Sequence, residues 1–227
     1  MFLDIHVGHL RELLTGRTVN RREIAFRVAE RVRQYQDEGL ARGDRVLVCY
    51  GNNLEFFIDL LAVWLLGASF VPIDGRLTAF EVENLARAVR PRFILVDSKA
   101  DNSIITAITA AGTKVINPAA WNASKQAQSV AMPFSSRVRL DDEALILFTS
   151  GSTGTPKGVV HTHRSLRARW IALRESFGVQ SYHRALCLLP THFDHGLFVI
   201  AYSRGFRVWI YTSLRPLARI SSCSWAA

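Results

Sequence analysis

The sequence predicts an α/β fold, a mostly parallel sheet flanked by helices, and three observations carry that prediction. Short β-branched or apolar runs alternate with amphipathic stretches of about ten to fifteen residues, the rhythm of βαβ units with right-handed crossovers. The amphipathic stretches open on capping residues and close on glycine or proline. Several of the apolar runs read as strands buried on both faces.

From Asn20 the pattern Ile24, Val28, Val32, Tyr35 repeats at helical spacing, with Asn20 and Glu23 as a capping-box start and Gly39 as a stop. Residues 45–50 (RVLVCY) form a short strand, residues 54–66 a strongly apolar helix ended by Gly67, and residues 69–73 a buried strand. Thr78 and Glu81 cap the next helix, which must stop near Pro91, and residues 93–97 (FILVD) return as a strand. A weaker helix at 103–111 and a strand at 114–116 continue the rhythm. The polar, small text between Asn117 and Arg139 reads as an irregular connector.

Composition narrows the class. With 49% hydrophobic and 21% charged residues the chain is that of a folded protein, and its 227 residues fit one core, which is comfortable up to roughly 250 residues. Cys49, Cys187 and Cys223 are widely separated, odd in number and form no Cys-x-x-Cys pair, so the expectation is a reducing, cytoplasmic setting without disulfides or a zinc site. The first residues lack the basic stretch, apolar core and cleavage site of a signal peptide. Asp59, Gly67 and Pro72 interrupt the apolar text from 56 to 73, which reads as helix, turn and strand rather than a membrane span. A net charge of +9 and a pI near 10.1 raise the question of a nucleic-acid partner. Scattered arginines, with no basic block, argue against one. Oligomeric state is not written in any of these features.

The chemistry concentrates after residues 142–150 (DEALILFTS), a strand that enters the run Ser150-Gly151-Ser152-Thr153-Gly154-Thr155-Pro156-Lys157-Gly158. Glycines let backbone N–H groups converge on anionic oxygens, the hydroxyls add donors, and Lys157 supplies a positive point charge. It is not the Walker loop, because Pro156 stands where a glycine should precede the lysine and Gly158 where a hydroxyl residue should follow it. A flexible linker is the competing interpretation of such composition. The preceding strand and the amphipathic helix from Ser165 to about Phe177 favour a phosphate-binding turn.

The stretch LFTSGSTGTPKGVVHTHRSL resembles the Thr/Ser/Gly-rich signature of adenylate-forming enzymes: acyl-CoA synthetases (AMP-dependent ligases), luciferases and the adenylation domains of peptide synthetases. GDRVLVCYGNNLEFFIDLLAVWLLGASFVPID is similar to the family's upstream strand, helix and strand, and the resemblance runs from about Asn20 to Gly196. It implies that Thr149, Ser150, Gly151, Ser152, Thr153, Gly154, Thr155 and Lys157 hold ATP phosphates, with Lys157 the catalytic candidate. A substrate carboxylate would attack the α-phosphate, with Mg2+ on the nucleotide and CoA as the default acceptor of the second step. The stretch LLPTHFDHG resembles the family segment lining the acyl pocket, which makes Phe193, His195 and Gly196 substrate-binding candidates, with His192 as a further hydrogen-bonding group. The Phe193-Asp194 pair is also similar to the peptide-synthetase version, so acyl and amino-acid substrates both stay open.

The resemblance implies a partial amino-terminal domain over 1–203 and an atypical, Arg- and Ser-rich tail over 204–227, read as truncated or frame-shifted. No Thr-Glu dipeptide, the family's adenine-side and magnesium motif, occurs in the sequence. The expectation is an ATP-dependent carboxylate-activating ligase fragment, inactive alone. The alternative is a binding module that retains only a phosphate loop.

Overall fold

The computed structural model describes residues 8–98, 100–110, 112–121, 138–149, 157–178, 184–194, 196–197 and 207–210. Two sheets are formed. The larger takes β3 (Arg45–Cys49), β4 (Ser69–Pro72), β5 (Phe93–Val96), β6 (Lys114–Ile116), β7 (Glu143–Thr149) and β8 (Lys157–Thr162) in the order β6-β5-β3-β4-β7-β8. All neighbouring pairs are parallel except β7 with β8. The smaller, in the order β2-β1-β10-β9, joins β1 (His9–Glu12) and β2 (Thr18–Val19) to β9 (Arg184–Cys187) and β10 (Arg207–Ile210).

Alternation along the strands builds two core layers, one on each face of the larger sheet. Val46, Val48, Phe93, Leu95, Leu145 and Leu147 point to the layer filled by α1 (Arg21–Asp37) and α2 (Leu54–Leu65). Leu47, Cys49, Ile94, Val96 and Ile146 point to the layer filled by α3 (Ala79–Val89) and α4 (Asn102–Ala110). This division follows from handedness. The step β3 to β4 moves one way across the sheet, whereas β4 to β5 and β5 to β6 move the other way, so right-handed crossovers put α2 on one face and α3 and α4 on the opposite one.

Local chemistry sets the helix ends. Asn20 accepts from the Glu23 N–H, Asn53 accepts from the Phe56 N–H, and Thr78 with Glu81 forms a complete capping box. Gly67, at φ +72°, takes the left-handed turn that lets the chain leave α2 and enter β4. Across the core the Asp59 carboxylate is fully buried and accepts hydrogen bonds from Arg31, Tyr35 and Tyr50, which join α1, α2 and the end of β3. Among the described residues no helix is long and apolar enough to cross a membrane. The apolar text from 56 to 73 is α2, a turn and β4.

Candidate functional site

β7 enters the candidate loop and β8 leaves it. The two are antiparallel, with Phe148 opposite Gly158 and Thr149 opposite Lys157, so the two ends of the hydroxyl-rich run are held side by side. Thr149 Oγ1 donates to the Lys157 carbonyl at 3.4 Å, and both side chains are exposed. Ser150, Gly151, Ser152, Thr153, Gly154 and Thr155 lie outside the described residues, as does His195. Gly158 packs closely on β7: a Cβ there would come within 3.1 Å of the Ile146 side chain and 3.3 Å of the Phe148 ring, so either side chain would have to give by a few tenths of an ångström.

The loop returns into a strand, not a helix. α5 (His163–Phe177) begins only after β8, at the far end of the hairpin, where the His163 N–H meets the Asp142 carbonyl at 3.2 Å. The N-terminus of α5 therefore lies away from the loop entrance, unlike the Walker arrangement, in which the next helix starts at the loop. Positive charge at the loop's mouth comes from Lys157.

β3, followed by α2 on one face, lies beside β4, followed by α3 on the other, so the carboxyl ends of β3 and β4 flank a topological switch point, where open α/β sheets form a crevice. Residues 189–192 lie against it. Asn52, just after β3, donates to the Leu189 carbonyl at 2.8 Å and accepts from the Thr191 N–H at 2.7 Å. His192 Nε2 stands 3.6 Å from the Asp74 carboxylate, just after β4. Burial holds His192 below the ordinary histidine range, against the pull of Asp74, whose own carboxyl is lowered chiefly by hydrogen bonds from Arg76. From α5, Arg169 reaches both carboxylate oxygens of Asp194, at 2.7 and 2.6 Å.

Phe193 is 53% exposed and packs at a tilt on His192, ring centroids 4.4 Å apart and planes 46° from parallel, so its ring faces solvent at this edge. Gly196 is buried against the carbonyls of Leu189 and Pro190. Phe70 pairs with Leu145, and Asp74 and Thr149 each lie four residues further along, which puts the entrance of the candidate loop and His192, beside Asp74, at one edge of the sheet. Asn52, Asp74 and Arg169 were absent from the sequence-based site. Asp74 closes the quoted VPID stretch and was legible as a motif end; Asn52 and Arg169 carry no local signal, because their partners are distant in sequence. Among the described residues no group of three or more His, Cys, Asp or Glu could hold a metal.

A family model described as AMP-binding enzyme matches residues 13–223. Malonate–CoA ligase of Arabidopsis thaliana is 33% identical over 178 residues, covering 74% of this chain and 29% of the ligase. The hybrid PKS-NRPS synthetase pvhA of Talaromyces variabilis is 28% identical over 200 residues, covering 87% of this chain and 5% of the synthetase. Among solved structures, ATP-bound MatB from Rhodopseudomonas palustris superposes with a TM-score of 0.78 at 22% identity, over 94% of this chain and 44% of MatB. The Bacillus subtilis O-succinylbenzoate coenzyme A synthetase in complex with AMP gives 0.78 at 20% identity, over 92% and 53%. At these identities the two structures speak for the fold. The chain spans about half their length, and less of the curated relatives.

Proposed function

The chain belongs to the AMP-binding, adenylate-forming enzyme family, and from that premise we propose that it supplies the phosphate-binding side of a carboxylate-activating site. In the reaction a carboxylate oxygen attacks the α-phosphorus of ATP, the bond to the bridging oxygen of the β-phosphate breaks, and acyl-adenylate and pyrophosphate result. Lys157 and the hydroxyls and N–H groups of residues 149–155 hold the oxygens of the departing pyrophosphate, neutralising charge that grows as the bond breaks. Phe193, Gly196 and, by resemblance, His195 belong to the wall on the acid's side. Mg2+ enters on the nucleotide's phosphates, as is usual for an ion that keeps most of its waters, and CoA is the default acceptor of the acyl group. A reducing, cytoplasmic setting suits the buried Cys49 and Cys187 thiols, which burial pushes up to about 11 and about 12.

The observation that supports this reading is the pairing of Thr149 with Lys157, which sets the exposed lysine beside the point where the hydroxyl-rich run begins. Calorimetric titration of the purified chain with pyrophosphate tests it. Saturable binding that falls about tenfold or more in Lys157→Ala, the loss of one charge-assisted contact, is expected. Absence of binding by the wild-type chain, or binding indifferent to Lys157, overturns it.

A further inference from the structure

The backbone of residues 189–191 is held at the sheet edge by the Asn52 side chain in a way that a neighbouring strand would otherwise provide. In a parallel ladder a residue gives its N–H to the carbonyl of residue i−1 and takes the N–H of residue i+1. The Asn52 carboxamide does the same around Pro190: it donates to the Leu189 carbonyl at 2.8 Å and accepts from the Thr191 N–H at 2.7 Å. The opposite chemistries of the two partners fix the orientation of the amide. Pro190 suits the central place, since it has no N–H to leave unpaired, and its carbonyl takes the Phe193 N–H at 3.0 Å to start the next turn. That turn continues with the Leu197 N–H on the Phe193 carbonyl at 3.1 Å, and Gly196 packs on Pro190. Under the same arc lies Cys187, whose Sγ stands 3.5 Å from the Leu189 carbonyl and 3.3 Å from the Gly196 carbonyl, within reach of either for its one S–H.

We propose that Asn52 is a positioning residue for the acid-side wall: its two hydrogen bonds to the backbone at Leu189 and Thr191 set where Phe193 and Gly196 stand. The claim rests on the adenylate-forming reading for what the wall does, but the clamp itself is tested without substrate. Asn52 sits immediately before the Asn53 cap of α2, on the first crossover of the larger sheet, so the wall takes its position from the core rather than from its own loop.

The experiment follows alkylation of each cysteine by a small thiol reagent, mapped by mass spectrometry, in the full 227-residue chain. Cys187 lies under the clamped arc, whereas Cys49 lies in the core layer against α3 and α4 and reports global opening. Asn52→Ala removes both bonds and should speed Cys187 labelling by about tenfold to thirtyfold, as expected for one or two lost backbone hydrogen bonds in a local opening, with Cys49 unchanged. Asn52→Asp keeps the acceptor for Thr191 but loses the donor to Leu189. It should give a smaller acceleration in the same direction and keeps the test valid should the alanine variant not fold. Unchanged Cys187 labelling in Asn52→Asp, or Cys49 and Cys187 accelerating together, overturns the proposal. Pyrophosphate titration of the wild-type chain reports separately on the adenylate-forming reading, so a failed clamp and a failed function give different results.

Discussion

At Gly196 a contact dictates the residue. A Cβ built there would stand 2.3 Å from the Pro190 carbonyl and 2.8 Å from that of Leu189, both backbone atoms that cannot swing away. Gly196→Ala should therefore destabilise the chain by about 1–3 kcal/mol, the usual cost of overpacking, while Gly51→Ala, where nothing lies within 4 Å, should be nearly neutral in the same urea titration. Equal midpoints for the two variants would refute this. His163 makes a different kind of demand. Its ring is fully buried edge-on to Trp64 at 5.6 Å, and neither nitrogen finds a hydrogen-bond partner among the described residues. Burial lowers its pKa from 6.5 to about 4, with Asp142 pulling the other way. Between those values the unfolded chain binds more protons than the folded one, so stability rises with pH and is lost as pH falls through that window. At about 1.4 kcal/mol per unit the loss is on the order of 3 kcal/mol by pH 4. Burial also lowers His161 and His192, which act with the same sign. Unfolding free energies measured from pH 7 to 4.5 should show a shallower slope in His163→Phe, which keeps an aromatic ring against Trp64; an unchanged slope would reject the assignment.

Among the elements, helices with local caps were legible and pairings between distant strands were not. Asn20, Asn53 and Thr78 with Glu81 sit within a few residues of the groups they satisfy, so their signals are contiguous in the sequence. β1 pairs with β10, about two hundred residues away, and neither run is long enough to show a period. The structure thus adds a second sheet, and places a strand, Arg207–Ile210, within the stretch read as an atypical tail. The helix at Ser165 was legible, close to the α5 start at His163, but β8 was not read as a strand, because Val159-Val160-His161-Thr162 follows the hydroxyl run without a break. As the edge of the larger sheet, β8 has a particular liability. Val159 and Val160 are 44% and 52% exposed, and consecutive strand residues face opposite sides, so among the described residues β8 is uncovered on both faces as well as along its edge. The chain should self-associate with rising concentration in sedimentation velocity, and Val160→Lys should shift it toward monomer. A wild-type chain that stays monodisperse and melts cooperatively at high concentration would count against this.

For the whole molecule, the fold class followed from rhythm and the phosphate loop from composition, but the relation between the two sides of the site came only with topology. Thr149 and Asp74 share an edge because β7 lies beside β4, and nothing in 143–149 says which strand it will join. Adenylyl transfer depends on groups preorganised on both faces of the α-phosphate. In the proposed function the phosphate loop serves the departing pyrophosphate, and the sequence has no Thr-Glu dipeptide to serve the adenine side and magnesium as the family resemblance would require. Binding and turnover should therefore separate in this chain. The 227 residues alone should bind pyrophosphate through Lys157, yet carboxylate-dependent exchange of labelled pyrophosphate into ATP should rise little above the blank without acid, because losing even one such stabilising donor costs about a hundredfold or more. Acids of several classes, aliphatic, aromatic and amino acid, belong in the assay, since Phe193 and Asp194 leave acyl and amino-acid substrates both open. Robust exchange with any of them would show that the missing stabilisation comes from elsewhere in this chain, and would make it a working adenylating unit rather than its phosphate-binding side.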